Sequence, residues 1–234
     1  MKNFIVYSLA LLSILIWGSC ADVNKSGDQP TQVKESSKLT TMKQFLDVNV
    51  VGSMQVFYTQ DSKNTVRVEA QKEEFDKLVI YVKENELYIS SKNENVVADS
   101  LVAMQDVKVY VTSPSLREVT MTGEGCFTAK EAIETTHLDV SLTGSGSISF
   151  AGKITSKSFS VELVGDGSVN VADLNCKKLY TQVTGSGAVN YASLMAENAE
   201  SVITGSGKIA MKGVVTEHTR KISGSGEISV THLN

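Results

Sequence analysis

The sequence predicts an all-β protein, a right-handed parallel β-helix (β-solenoid) with coils of about 20 residues. Three observations carry this. A Gly-x-Gly motif recurs six times, with first glycines at Gly123, Gly144, Gly165, Gly185, Gly205 and Gly224, spaced 21, 21, 20, 20 and 19 residues apart. Apolar residues stand four positions after each glycine (Phe127, Ile148, Val169, Val189, Ile209, Ile228) and again six after (Ala129, Phe150, Val171, Tyr191, Met211, Val230). The residue between them is small or polar in every copy, so the pattern has period two and describes a strand with one face inward. A unit this short cannot bury its own apolar face and must stack on its neighbours.

The other sides of the coil follow. A second inward column lies nine or ten residues after the glycine, at Ile133, Ile154, Leu174, Leu194, Val214 and Leu233. A third side precedes each corner, in "HLDVSL", "SFSVEL" and "LYTQV". There Leu138, Val140 and Leu142, then Phe159, Val161 and Leu163, then Leu179 and Val183 face inward. Parallel crossovers are overwhelmingly right-handed, which sets the winding. Strands of successive coils stack about 4.8 Å apart, so the repeat extends roughly 25 Å along its axis. His218 and Arg220 fall in inward slots of the fifth unit, which reads as a local bulge or an outward flip.

From Phe45 to Met121 the motif is absent while strand signals continue in "FLDVNVVG", "MQVFYT", "TVRVEA", "KLVIYV", "ELYISS" and "VKVYVT". Polar turns such as "DSKN" and "KENE" separate them. Residues 43–121 are therefore expected to form a β-rich region of divergent coils or a cap over one end of the solenoid, and 122–234 the repeat itself. An uncovered end exposes backbone groups that recruit other chains. The last unit is a partial coil, so self-association through that end is an expected partnership.

The chain opens with "MKNFIVYSLALLSILIWGSC". Its apolar run from Phe4 to Trp17 is short of the roughly 20 residues that span a bilayer and has the size of a signal-peptide core. Residues 1–19 are expected to be an export signal. Cys20, just after Gly18 and Ser19, resembles the acceptor of a bacterial lipobox, which implies a thiol carrying lipid such as palmitate once the leader is removed. Residues 20–42 are polar with Pro30 and no apolar period, and read as a tether. The expected location is the cell envelope, lipid-anchored, at the outer membrane of a Gram-negative bacterium.

With 22 basic residues against 26 acidic ones and no basic stripe, the chain has no electrostatic footprint for nucleic acid. The Gly-Ser-Gly corners lead into strands rather than helices, so they are not phosphate-binding loops. Only Glu124 and Asp166 among the six inter-glycine residues are acidic, which argues against a calcium ladder. His137, His218 and His232 share no metal-ligand spacing. No cofactor is expected. Cys126 and Cys176 lie two coils apart, about 10 Å along the axis, beyond the roughly 7 Å that a disulfide allows, and are expected to be free thiols. The charged residues Asp139, Glu162, Asp173 and Glu197 fall in different columns and build no catalytic pair.

The remaining candidate is a ladder of hydroxyls at the corners: Thr143, Ser145, Thr184, Ser186, Thr204, Ser206 and Ser225, interrupted by Val164. Hydroxyls at turns satisfy backbone groups, and stacked in register they also offer a regular face to a glycan or a protein surface.

At "PSLREVTMTGEG", Pro114–Gly125, followed by the Gly-Ser-Gly coils, the chain resembles the head GIN domain family of autotransporter adhesins; "FLDVNVVGSMQVFYTQ", Phe45–Gln60, is similar to that family's opening strands. The resemblance covers Phe45 to Asn234. It implies a bacterial envelope domain built as a right-handed β-helix, often behind a lipoprotein signal, with adhesion as its role and no catalytic residues to carry over. The sequence reading is thus a non-enzymatic lipoprotein that binds a glycan or protein surface. The alternatives are an architectural envelope protein without a specific ligand and a polysaccharide-active enzyme.

Overall fold

Gly185 shows why the chain turns where it does. Its φ is +119°, and the first glycines of the other five motifs lie between +115° and +124°, a region that side chains strongly disfavour. A Cβ on Gly185 would also stand 2.5 Å from the carbonyl oxygen of Gly165 in the coil below. The second glycine serves a different need. Gly187 has no positive φ, yet a Cβ there would meet the Leu163 side chain at 2.6 Å and the Gly167 carbonyl at 2.7 Å. One glycine makes the corner, and the next lets successive corners nest.

The computed structural model describes residues 35–91, 104 and 106–231. The leader 1–19, Cys20, the tether as far as residue 34, and Leu233 lie outside these residues. In chain order the elements are β1 (Glu35–Thr41), β2 (Asp47–Val51), β3 (Gln55–Gln60), β4 (Thr65–Gln71), the short helix α1 (Lys72–Phe75), β5 (Leu78–Lys83), β6 (Glu86–Ser91), β7 (Lys108–Ser113), β8 (Glu118–Gly123) and β9 (Cys126–Ala129). They continue as β10 (Ile133–Glu134), β11 (His137–Gly144), β12 (Ser147–Thr155), β13 (Ser158–Gly165), β14 (Ser168–Gly185), β15 (Ala188–Gly205), β16 (Lys208–Gly224) and β17 (Glu227–Thr231).

These strands stack as a β-solenoid of about six turns. Successive coils pair in parallel with identical residues opposite one another: Gly144 faces Gly165, which faces Gly185, Gly205 and then Gly224. The inward columns are closed, with Ile148, Val169, Val189 and Ile209 all fully buried. One expected member of the second column is displaced. Gly213, not Val214, stands opposite Leu194, and Val214 pairs with Met195 at the surface, 51% exposed. The 19-residue spacing removes one residue just before this point, and the register shift between Tyr191 and Leu194 absorbs it. Only glycine fits the inward slot, because a Cβ on Gly213 would lie 2.0 Å from the Leu194 carbonyl oxygen.

The N-terminal region is both divergent coils and cap. Gly52, with φ +132°, is a seventh corner; its carbonyl lies beneath Gly123, and Val51 pairs with Thr122. β2 and β3 flank this corner and pair in parallel with β8 and β9. On their other side they pair in parallel with β6 and β7, a coil that comes later in the chain but lies outside them in space. The end is closed by antiparallel strands. β5 pairs with β6 through a two-residue turn at Glu84 and Asn85, both left-handed, the geometry that matches strand twist. β4 pairs with β7, and β1 pairs with β4. The last residues of the expected tether, Glu35–Thr41, are therefore a strand, paired among the described residues with β4 alone.

Inside, Tyr58, Phe127, Phe150, Phe159 and Tyr191 form a row along the axis, with neighbouring ring centroids 6.1–6.4 Å apart. The hydroxyls at the two ends of this row have partners. Tyr58 Oη lies 2.9 Å from Ser113 Oγ, and Tyr191 Oη lies 2.7 Å from Thr181 Oγ. Burial holds the Tyr58 phenol at about 12.

Neither Cys126 nor Cys176 is joined in a disulfide. Cys176 faces inward beside Ala196, and burial pushes its thiol up to about 11, which suppresses the reactive thiolate. In a thiol titration at pH 8, Cys126 is expected to react in the folded protein and Cys176 only after unfolding. Rapid labelling of Cys176 in the fold would contradict this packing.

Candidate binding surface

The corner hydroxyls of the sequence ladder are brought into register. Thr143 lies beside Val164, then Thr184, Thr204 and Ser223. Thr143, Ser145, Thr204, Ser206 and Ser225 are exposed, as is Ser186, while Thr184 is half-buried. Ser186 Oγ donates to Asp166 Oδ1 at 2.9 Å, and Ser206 Oγ and Ser225 Oγ are 3.1 Å apart. On the adjoining side Asn190 Nδ2 donates to Asn170 Oδ1 at 2.9 Å. The ridge is a regular row of short polar groups, several of which already bond to one another.

A shallow concavity lies on the next edge of the solenoid. Ser158, Lys178, Asn198 and Glu217 stack in one column, and Ser160, Tyr180, Glu200 and Thr219 in the next but one. Together they line a groove of about 440 Å³ that crosses four coils, with the strand backbone at Phe159, Leu179 and Ala199 between the two columns. Tyr180 is half-buried, and its hydroxyl donates to Gln182 Oε1 at 2.5 Å. Glu200 accepts from Lys221 Nζ at 2.7 Å. The groove therefore offers an aromatic face held by its own hydrogen bond, together with donors and acceptors of both charges. Sequence reasoning missed it because these columns flank a bend with no repeated residue. Their only signal is the outward phase of β13, β14 and β15 ahead of Leu163, Val183 and Ile203.

One acidic residue does have neighbours. Asp139 stands opposite Glu118, which faces Asp47, which faces Glu86, so four carboxylates share a column on adjacent strands. Sequence spacing hid this, because the coils holding Glu86 and Asp47 lie outside the recognisable repeat. Asp47 is half of an ion pair: Arg117 Nε donates to Asp47 Oδ1 at 2.9 Å and its Nη2 to Oδ2, and this pairing raises the guanidinium pKa. Glu118 and Asp139 are exposed on a sheet face. Among the described residues no cluster of three or more His, Cys, Asp or Glu side chains is placed to hold a metal ion.

Residues 44–232 match the family described as "Putative auto-transporter adhesin, head GIN domain". The chain belongs to this family. Three solved structures share the head GIN domain's fold with it. A "putative lipid binding protein" from Parabacteroides distasonis superposes with a TM-score of 0.67 at 20% identity, covering 86% of this chain and 97% of its own. A "putative adhesin" from Bacteroides fragilis gives 0.59 at 19%, covering 88% and 100%. A "putative adhesin" from Parabacteroides merdae gives 0.54 at 17%, covering 87% and 98%. The family and these neighbours are described as adhesins or binding proteins rather than enzymes. No protein of curated function matches the chain.

In this head GIN domain the last described coil departs from the others. Inward slots that hold Leu179, Thr181 and Val183, then Ala199, Ser201 and Ile203, next hold His218, Arg220 and Ile222 in unbroken register. Neither a bulge nor a flip is present there. His218 Nε2 lies 2.9 Å from the fully buried Ser201 Oγ, and Arg220 Nε donates to His218 Nδ1 at 3.1 Å. Because Nδ1 accepts from arginine, the neutral ring carries its proton on Nε2 and donates to the serine. A histidine held in this tautomer cannot take the serine proton, so the pair is not a nucleophile with its base. Burial and the neighbouring Arg220 both lower the His218 pKa.

Proposed function

We propose that this chain is a non-enzymatic, adhesin-like binding module of the bacterial cell envelope, carried on a lipid at Cys20 at the outer membrane. Its groove between Ser158 and Thr219 grips an extended polar polymer, a glycan strand. The observation that carries this reading is the groove itself: about 440 Å³, open along four coils and lined by Ser, Thr, Asn, Lys, Glu and Tyr. A sugar presents hydroxyls to such donors and acceptors and an apolar ring face to an aromatic side chain. The corner ridge from Thr143 to Ser225 extends the polar surface. A rigid parallel stack suits the task, since its columns repeat at the strand spacing of about 4.8 Å and keep their groups aligned without a cost in ordering.

A glycan array probed with the chain from Ala21 onward tests the reading. Selective binding is expected, and Tyr180→Ala should weaken it about tenfold or more while leaving the thermal melt unchanged. Silence on the array, or binding that survives Tyr180→Ala and is lost in Ser186→Ala, moves the site to the ridge or removes it; release of sugar fragments would instead reveal an enzyme. Attachment has its own check. Cys20→Ser should abolish metabolic labelling with palmitate, and unchanged labelling would refute the anchor.

A further inference from the structure

The last described coil has an open edge among the described residues. β17 pairs only with Lys208–Lys212 of β16. Among the described residues no strand pairs with Gly213–Gly224 on the side away from β15, so this edge is a template for another chain. What the edge accepts is set by its inward slots. Ile222 repeats Ile203 one coil on, but Ile203 is fully buried and Ile222 is 48% exposed. An aliphatic side chain laid over Ile222 would complete its burial. Arg220 is the opposite case. Its Nε donates to His218, and among the described residues its terminal nitrogens meet no carboxylate. A further strand would cover it, and a guanidinium covered by apolar groups loses its hydration without recompense.

The slot therefore rejects an ordinary apolar strand and accepts one that carries an anion, because a carboxylate meets a guanidinium with charge-assisted, two-pronged hydrogen bonds. The surroundings agree in sign. Within Lys208–Thr231 the charged groups are Lys208, Lys212, Arg220 and Lys221 against Glu217 and Glu227, a basic end on a chain of net charge −4. We infer that the free edge of β16 binds a partner polypeptide by strand addition, selecting a segment that places a carboxylate over Arg220 and an aliphatic side chain over Ile222. The two partner residues stand two positions apart, so the recognised pattern is acidic, any residue, aliphatic, or its reverse if the strand runs antiparallel. The edge shares Glu217 and Thr219 with the proposed glycan groove but is centred on Arg220 and Ile222, outside it, so peptide and glycan binding are read separately and either can fail without the other.

Two synthetic peptides test this on the full chain. Both copy Asn198–Gly205, which already fits this register, one with glutamate and one with lysine in the place of Ser201. The glutamate peptide should bind at least about tenfold more tightly than its lysine twin by fluorescence anisotropy and should slow amide hydrogen exchange across Glu217–Gly224. Arg220→Glu should reverse the preference; the residue is exposed, and an unchanged thermal melt establishes that the variant folds. Equal affinities, no protection of Arg220–Gly224, or protection confined to the groove strands Ser158–Ser160, Lys178–Tyr180 and Asn198–Glu200 would overturn the inference. So would self-association of the chain through this edge that the glutamate peptide fails to displace, since the occupant would then be a second copy.

Discussion

Gly185→Ala is expected to lower the unfolding free energy by about 3 kcal/mol or more. Two costs combine. A φ of +119° is nearly closed to a residue with a side chain, at roughly 1–3 kcal/mol. The new methyl would also stand 2.5 Å from the Gly165 carbonyl oxygen, and overpacking of this kind costs a further 1–3 kcal/mol or so. The obstacle is backbone in the adjacent coil, paired along its whole length, so it cannot move aside as a side-chain end could. Gly187→Val meets a milder obstacle, because part of its clash is with the Leu163 side chain, and about 1–3 kcal/mol is expected. Ser186→Ala, between them, should stay within about 0.5 kcal/mol, since it removes one exposed hydrogen bond. Urea midpoints for the three variants check the order. A Gly185→Ala protein as stable as Ser186→Ala would mean that the corner tolerates a Cβ after all.

Phe150→Ala is expected to cost about 3–5 kcal/mol. The ring sits in the middle of the internal aromatic row, 6.1 Å from both Phe127 and Phe159 by centroid, and is 1% exposed. Its neighbours belong to paired coils and cannot collapse into the void without breaking the parallel register. Tyr191→Phe makes the comparison. It keeps the ring and leaves Thr181 Oγ without its partner in a fully buried site, at about 1–3 kcal/mol. In a stack where each coil touches only its neighbours, Phe150→Ala should also loosen hydrogen exchange in β9, β12 and β13 before it affects β16. Uniform loosening along the solenoid would show that the coils do not transmit damage locally.

The sequence made the central coils legible because their columns repeat. Phe127 to Ile228, and Gly123 to Gly224, recur in one frame, and every copy reports the same inward and outward phase. Gly52 belongs to the series as well: Val56 and Tyr58 stand four and six positions after it, as in every later coil. It was hidden because Met54 replaces the second glycine and because the strand stacked on it, β8, does not come next in the chain. The same displacement concealed the carboxylate column of Glu86, Asp47, Glu118 and Asp139, whose members share a face only once the coils are interleaved. Val214 was misplaced by a single missing residue, since a one-residue shift exchanges the two faces of a strand. The groove was invisible for a different reason. Ser158, Tyr180 and Glu200 are unlike one another, and only their position beside a bend brings them together.

The interleaved coil also bears on how the molecule assembles. Asp47–Gln60 leaves the ribosome well before Glu118–Ala129, yet β2 and β3 cannot complete their ladders until β8 and β9 arrive. The Gly-Ser-Gly coils, by contrast, pair with segments only one repeat away, and such local closures form fastest. The Gly-Ser-Gly coils can thus close before the coils that precede them, whereas β2 with β3 fits as a wedge between β8 with β9 and the coil of β6 and β7. Until that wedge is seated its apolar face, Val48, Val50, Val56 and Tyr58, has nowhere to go. Whatever keeps this early segment apart from other unfolded chains until β8 and β9 are made therefore decides how much of the protein reaches its fold.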